Sequence, residues 1–199
     1  RIILIVGDKT EHPLRELLGT DYKGMNIQYA KQKYNPQTRD VPWGTVDALC
    51  AGIKYINRPF VVCNSDDIYG ENALSLARNY LETRYQNLAV GYKLGEVIPQ
   101  TGSVNRGIFG INGDYVTAIK EEIGLTMKNL STRRLSPETL CSMNLFGLTV
   151  ETLQRLELQL QEFRQKNASN RIIECLLPQE IGNLIKEKAI TMNLLRTDD

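Results

Sequence analysis

The sequence predicts an α/β protein built on a mixed, mostly parallel sheet with helices on both faces. Two observations carry this. In the first half of the chain, short apolar runs alternate with helical stretches, the pattern of parallel strands joined by crossovers. In the second half, Asn112-Gly113 sits between the apolar stretches 107–111 and 115–119, a two-residue hairpin signal that adds antiparallel strands. The chain of 199 residues with 42% apolar content suffices for one globular domain with a sizeable core.

Each element has its own warrant. Ile2 to Val6 is an unbroken apolar strand, and a short helix follows around Pro13 to Leu18. Asn26 to Ala30 reads as the next strand; after a polar loop, a helix runs from about Thr45 to Ile56. The strand Phe60 to Cys63 is expected near the centre of the sheet, and a helix near Glu71 to Thr83 comes next, making three right-handed crossovers. Past the hairpin, Ser142 to Gly147 is a strand, and Leu153, Leu156, Leu160 and Phe163 recur at helical spacing as a core-facing stripe. Pro178 fits the first turn of a last helix, and Ala189 to Leu195 returns as a strand. No repeat or low-complexity linker divides the chain, so one domain over residues 1–199 is expected.

Composition narrows the function. A net charge of +1 without a Lys/Arg run argues against a nucleic-acid binder; Lys186 and Lys188 read as a solvated helix end. The longest apolar runs are far too short to span a membrane and no signal-like leader is seen, so no membrane partner and a cytoplasmic location are expected. Cys50, Cys63, Cys141 and Cys175 are widely spaced in apolar contexts and read as buried, reduced thiols. His12, the single histidine, lies in an expected surface helix, which leaves histidine-based catalysis without support.

Chemistry is carried instead by carboxylates at a strand exit. Phe60-Val61-Val62-Cys63 runs into Asn64-Ser65-Asp66-Asp67 and Ile68-Tyr69-Gly70. Open α/β sheets bind ligands at the carboxyl ends of strands, and two adjacent carboxylates favour a bound cation such as Mg²⁺. The same residues serve equally as a turn and helix cap. Pro42-Trp43-Gly44-Thr45 opens a helix, where a glycine admits close approach to the backbone and free amides can donate to a base or phosphate, though capping alone accounts for it as well.

Gly44-Thr45 ahead of a helix, followed by a strand and Asn64-Ser65-Asp66-Asp67-Ile68-Tyr69-Gly70, resembles the sugar-nucleotide pyrophosphorylases, nucleotidyltransferases of the GT-A-like fold. The nearest likeness is to bacterial proteins related to glucose-1-phosphate uridylyltransferases. It continues in order through Val104-Asn105-Arg106-Gly107, Ser142 to Gly147 and Glu174-Cys175-Leu176-Leu177-Pro178, so it covers essentially the whole chain. The resemblance implies that Gln32 and Gly44 read the nucleotide base with support from Thr45. It implies that Asp66 holds Mg²⁺ against the phosphates, with Asp67 as a second ligand or as its partner. Gly107, Glu121, Asn144 and Glu174 fall where the family contacts the hexose. Taken singly, Gly107 also reads as easing a strand bend, Glu121 as a solvated strand end, Asn144 as satisfying a sheet edge and Glu174 as a helix cap.

The implied reaction joins a nucleoside triphosphate, UTP or dTTP in the first place, to a hexose-1-phosphate, with release of pyrophosphate. Such transfers rest on positioning and charge neutralisation and need no protein nucleophile. The family's Gly-x-Gly-x-Arg type loop and its lysine are missing from residues 1–199, so a chain truncated at both ends and inactive by itself is expected. Two other readings use the same residues. A GT-A glycosyltransferase would transfer sugar to an acceptor, but no Asp-x-Asp motif is present. A non-catalytic module would bind a nucleotide-sugar without turning it over. The sequence sets no oligomeric state.

Overall fold

The computed structural model describes residues 1–199. Along the chain run β1 (Ile2–Val6), α1 (Glu11–Leu18), β2 (Asp21–Tyr22), β3 (Met25–Lys31), α2 (Thr45–Ala51), β4 (Phe60–Val62), α3 (Glu71–Arg84), β5 (Leu88–Lys93), α4 (Leu94–Val97), β6 (Val104–Asn112), β7 (Tyr115–Leu125), β8 (Leu140–Leu148), α5 (Val150–Lys166), α6 (Leu177–Lys186) and β9 (Met192–Arg196). Where the sequence suggests one domain, contacts cluster in two compact units, Arg1–Arg58 with Leu153–Leu177 and Pro59–Thr152 with Pro178–Asp199.

In the first unit β1 lies parallel to β3, and β2 pairs antiparallel with β3. Alternation assigns the two faces of β1. Leu4 and Val6 pack with Ile27 and Tyr29 against Leu14 and Leu18 of α1. On the opposite face Ile3 and Ile5 press on Gly52, where an added β-carbon would lie 3.1 Å from Ile5 Cδ1. Gly52 is also where the expected helix 45–56 breaks, as a glycine inside a helical pattern favours: α2 stops at Ala51 and a 3₁₀ turn takes Ile53–Tyr55. Leu153, Leu156 and Leu160 are buried as their spacing predicts, and Phe163 sets its ring edge-on to Trp43.

Arg39 staples this unit together. Only 2% exposed, it stacks 3.5 Å above the Trp43 ring and donates to the carbonyls of Val41, Asn170 and Ile173. Arg171 returns the tie, donating to Asp40 and to the carbonyl of Gln37. The polar loop after β3 is thereby fixed against residues 170–173 by charge-assisted bonds that satisfy otherwise orphaned carbonyls.

In the second unit six strands follow the order β4-β8-β5-β9-β7-β6, and β6 pairs β8 as well. That extra pairing, Gly107 opposite Ser142 and Ile108 opposite Cys141, closes β8, β5, β9, β7 and β6 into a small barrel-like ring. β4 is attached to β8 outside it. Ala73, Ala77 and Leu81 of α3 pack on Leu88, Val90 and Tyr92 of β5 and on Leu145. Leu94, Ile98, Leu125, Leu130 and Cys141 form a second core cluster.

Several expectations are corrected here. The architecture is mixed α/β, but the pairing is mostly antiparallel: only β1–β3 and β5–β9 run parallel. Within its sheet β4 is terminal rather than central and lies antiparallel to β8. Strand–helix alternation fixes which segments are strands but not their neighbours, and β8, which arrives late, inserts between β4 and β5. The hairpin loop is Gly113-Asp114, one residue later than the sequence suggests, because Asn112 pairs with Tyr115. Gly113 takes φ 58° at the first loop position, where a primed turn places glycine. Cys141 and Cys175 are buried, but Cys50 is half-buried and Cys63, just past the end of β4, is exposed; no disulfide joins any of them.

Candidate functional site

The expected base-reading residues Gln32, Gly44 and Thr45 meet in the first unit. Gln32 follows β3 directly, and its backbone amide extends the ladder to the Val6 carbonyl. Its side-chain Nε2 donates to the Gly44 carbonyl at 3.1 Å and to Asp47 Oδ2 at 2.6 Å. Asp47, 5% exposed, accepts from Arg164 on its other oxygen. Gly44 is required by the protein's own backbone: it has φ 97°, and an added β-carbon would lie 2.6 Å from the Cys175 carbonyl oxygen. Cys175 and this turn exchange two bonds, Val46 N–H to the Cys175 carbonyl and Cys175 N–H to the Trp43 carbonyl. The Thr45 hydroxyl accepts from the Leu177 amide at the start of α6. Glu174, next to Cys175, is exposed and has no hydrogen-bond or ion-pair partner.

The expected metal residues lie in the second unit, after β4. Asp66 is exposed and makes no hydrogen bond or ion pair. Asp67 accepts from Asn64 Nδ2 at 2.8 Å and lies 3.4 Å from the Tyr69 hydroxyl. That hydroxyl organises the loop by accepting from the Asn64 amide and donating to the Met143 carbonyl. Ile68 points into solvent, 97% exposed. No group of three or more His, Cys, Asp or Glu side chains is arranged to hold a metal ion. The donor set nevertheless suits Mg²⁺, which commonly takes one or two protein carboxylates and completes its shell with phosphates and water.

Asp199, unassigned by sequence, closes the start of α3. Its carboxylate accepts from the Ala73 amide at 2.6 Å and from Asn72 Nδ2 at 2.8 Å, and the Ala73 bond in particular holds its carboxyl below the usual range. Gly70 leaves room for it: with φ 80°, an added β-carbon would overlap Asp199 Cγ at 2.3 Å. Asp198 stands near Lys93, which also faces Glu138.

Of the expected hexose residues, Gly107, Glu121 and Asn144 come together in the second unit. Gly107 pairs with Glu121 across β6–β7 and with Ser142 across β6–β8, and the Asn144 amide donates to Ser142 Oγ at 3.0 Å. A β-carbon at Gly107 would meet Ile119 Cγ2 at 2.9 Å, so packing alone requires glycine. Glu121 is half-buried mid-strand, not a solvated strand end; burial pushes its carboxyl up, and Arg106 opposes this. Arg106 carries a buried Nε without a partner. Asn144 takes φ 61° inside β8, where the register with β5 shifts between Ala89 and Gly91. Asn is among the few side chains that accept this left-handed backbone, and such bulges re-aim neighbouring side chains. Sequence reasoning missed Asp47, Arg164 and Tyr69; a carboxylate three residues past Gly44 on a helix's buried face was the one available signal.

No helix is long and apolar enough to cross a membrane. At the level of sequence, no protein-family profile and no curated protein matches the chain. Solved structures do match, and what they share with the chain is its α/β fold. The inositol-1-phosphate CTP transferase from T. maritima aligns with 98% of this chain and 65% of its own, at TM-score 0.64 and 12% identity. A protein described as a glucose-1-phosphate thymidylyltransferase from Bacillus anthracis, in complex with a sucrose, aligns with 99% of this chain and 68% of its own, at TM-score 0.65 and 12% identity. UDP-glucose pyrophosphorylase complexed with UDP-glucose aligns with 98% and 72%, at TM-score 0.53 and 16% identity. The likeness is one of fold, and the chain spans roughly two thirds of the length of the first two.

Proposed function

We propose that this chain is the core of a nucleotidyltransferase that joins a nucleoside triphosphate, UTP or dTTP, to a hexose-1-phosphate, giving a nucleotide-sugar and pyrophosphate. The observation that carries the reading is a fold match along 98–99% of the chain to three proteins described as enzymes or complexes of this kind. The bare carboxylate of Asp66 beyond β4 adds to it.

In this reading Gln32 and the Gly44 turn hold the base. Gly107, Glu121, Asn144 and Glu174 hold the sugar, Glu121 and Glu174 accepting from hydroxyls. Asp66, with Asp67 beside it, holds Mg²⁺ against the phosphates; when bound, the ion neutralises charge on their oxygens. A phosphate oxygen of the sugar-1-phosphate attacks the α-phosphorus and pyrophosphate leaves in line, so the chain's residues orient and stabilise but form no covalent bond. A cytoplasmic enzyme of small-molecule metabolism accords with these parts.

Calorimetry with UTP, dTTP and their nucleotide-sugars, with and without Mg²⁺, tests the reading. Wild-type protein is expected to bind, and Asp66→Ala and Glu174→Ala to weaken binding. Pyrophosphate release by the full-length protein is expected to fall about a hundredfold or more in Asp66→Ala. Folded wild-type protein that binds no nucleotide or nucleotide-sugar would rule it out.

A further inference from the structure

Gln32 is the one base-contacting side chain in the reading above, and a glutamine amide is by nature ambidextrous. It can offer NH₂ to an acceptor or, after a half-turn about its last bond, its oxygen to a donor. In this protein the half-turn is blocked. Nε2 faces two acceptors at once, the Gly44 carbonyl at 3.1 Å and Asp47 Oδ2 at 2.6 Å. A carbonyl and a carboxylate only accept, so the NH₂ group must face them. Reversal would set the amide oxygen against two oxygens, one of them charged and buried.

Asp47 is itself fixed. It is 5% exposed, sits in α2, and its second oxygen is paired with Arg164 of α5. The Gly44 carbonyl is equally immobile, because Cys175 fills the space that any side chain at position 44 would need. What remains of the Gln32 amide is Oε1. It has no partner within the chain and is not among the buried unpartnered atoms.

We infer that Asp47, held by Arg164, is a positioning residue that locks Gln32 so that it presents only an acceptor, and that the site thereby selects a nucleobase whose facing ring nitrogen carries hydrogen. The inference rests on the proposed role of Gln32 in reading the base. The imide N3–H of uracil or thymine meets this demand at neutral pH. Cytosine N3 carries a lone pair there and would set acceptor against acceptor. A site built around a ligand N–H rejects the analogue that lacks it far more strongly than apolar contacts could.

The test is calorimetry of the wild-type chain with UTP, CTP and N3-methyl-UTP in the presence of Mg²⁺, repeated with Asp47→Asn. Wild type is expected to bind UTP about a hundredfold more tightly than CTP or N3-methyl-UTP. An asparagine at position 47 can keep its oxygen toward Arg164 and turn its NH₂ to Gln32, which removes the charged acceptor, leaves the Gly44 carbonyl as the one remaining lock and so eases reversal of the glutamine. The UTP-to-CTP ratio should then fall at least about tenfold, as the loss of one discriminating contact implies. A purely structural role for Asp47 would weaken both nucleotides alike and leave the ratio unchanged, overturning the inference. Wild type that binds UTP and CTP equally overturns it too, while leaving the nucleotidyltransferase reading intact. Wild type that binds no nucleotide removes both. If Asp47→Asn does not fold, the N3-methyl-UTP and CTP arms on wild type still decide: discrimination against both sustains the acceptor-only Gln32, and indifference refutes it.

Discussion

The turn around Gly44 and the loop after β4 solve opposite problems. Around Gly44 nearly every polar group is spent internally: Gln32 on Gly44 and Asp47, Asp47 on Arg164, the turn on Cys175, and Thr45 on Leu177. After β4 the Tyr69 hydroxyl braces the backbone, yet Asp66 is left with no partner. Saturation makes a rigid turn with few polar groups left to satisfy. A bare carboxylate makes a position that a cation or other donor can complete, at the cost of mutual repulsion between neighbouring acids until it does.

If this contrast holds, mutations should split accordingly. The largest expected effect on stability is that of Gly44→Ala, where a β-carbon at φ 97° would meet the Cys175 backbone at 2.6 Å. Backbone cannot move aside as a side-chain tip can, so a loss of about 3 kcal/mol is expected in urea unfolding. Asp67→Ala, which releases Asn64, should cost about 1 kcal/mol in the same measurement. Asp66→Asn should leave stability within about 0.5 kcal/mol of wild type while weakening Mg²⁺-dependent nucleotide binding. A large stability loss in Asp66→Asn would erase the contrast.

The finest expected difference lies in pH. Asp199 is depressed by the Ala73 amide, so its contribution is present above its unfolded pKa and is lost as pH falls through the folded one. Glu121 is raised by burial, so its contribution is present below its unfolded pKa and is lost as pH rises through the folded one. Thermal unfolding from pH 3 to 6, in the range of ordinary carboxyl titration, should therefore show opposite changes. Asp199→Asn flattens the acid limb, whereas Glu121→Gln removes a decline that wild type shows as pH rises above the ordinary glutamate range.

Local signals carried the element list well. Apolar runs gave β1, β3 and β4, the leucine spacing gave α5, and the glycine-containing turn gave the β6–β7 hairpin to within one residue. What pairs with what was not legible. The insertion of β8 between β4 and β5 depends on partners about fifty to ninety residues apart, and nothing in either segment names the other. The site divides in the same way. Gly107, Glu121 and Asn144, three of the four residues expected at the hexose, lie together in the fold, as do Gln32, Gly44 and Thr45, expected at the base. The Arg164–Asp47 pair and the Asp199 cap join residues more than a hundred positions apart, which only the folded chain displays.

Trp43 has a use beyond packing. It is the sole tryptophan of the chain, stacked beneath Arg39 and one residue from Gly44. Its fluorescence is consequently a site-specific optical probe of the first unit, whereas the nine tyrosines are spread over both units, Tyr69, Tyr80, Tyr85, Tyr92 and Tyr115 lying in the second. Emission and tyrosine signals that shift at the same denaturant concentration would mean one cooperative transition; separate midpoints would mean that each unit has its own. Quenching or a spectral shift on adding nucleotide would give a label-free titration at the Gly44 turn.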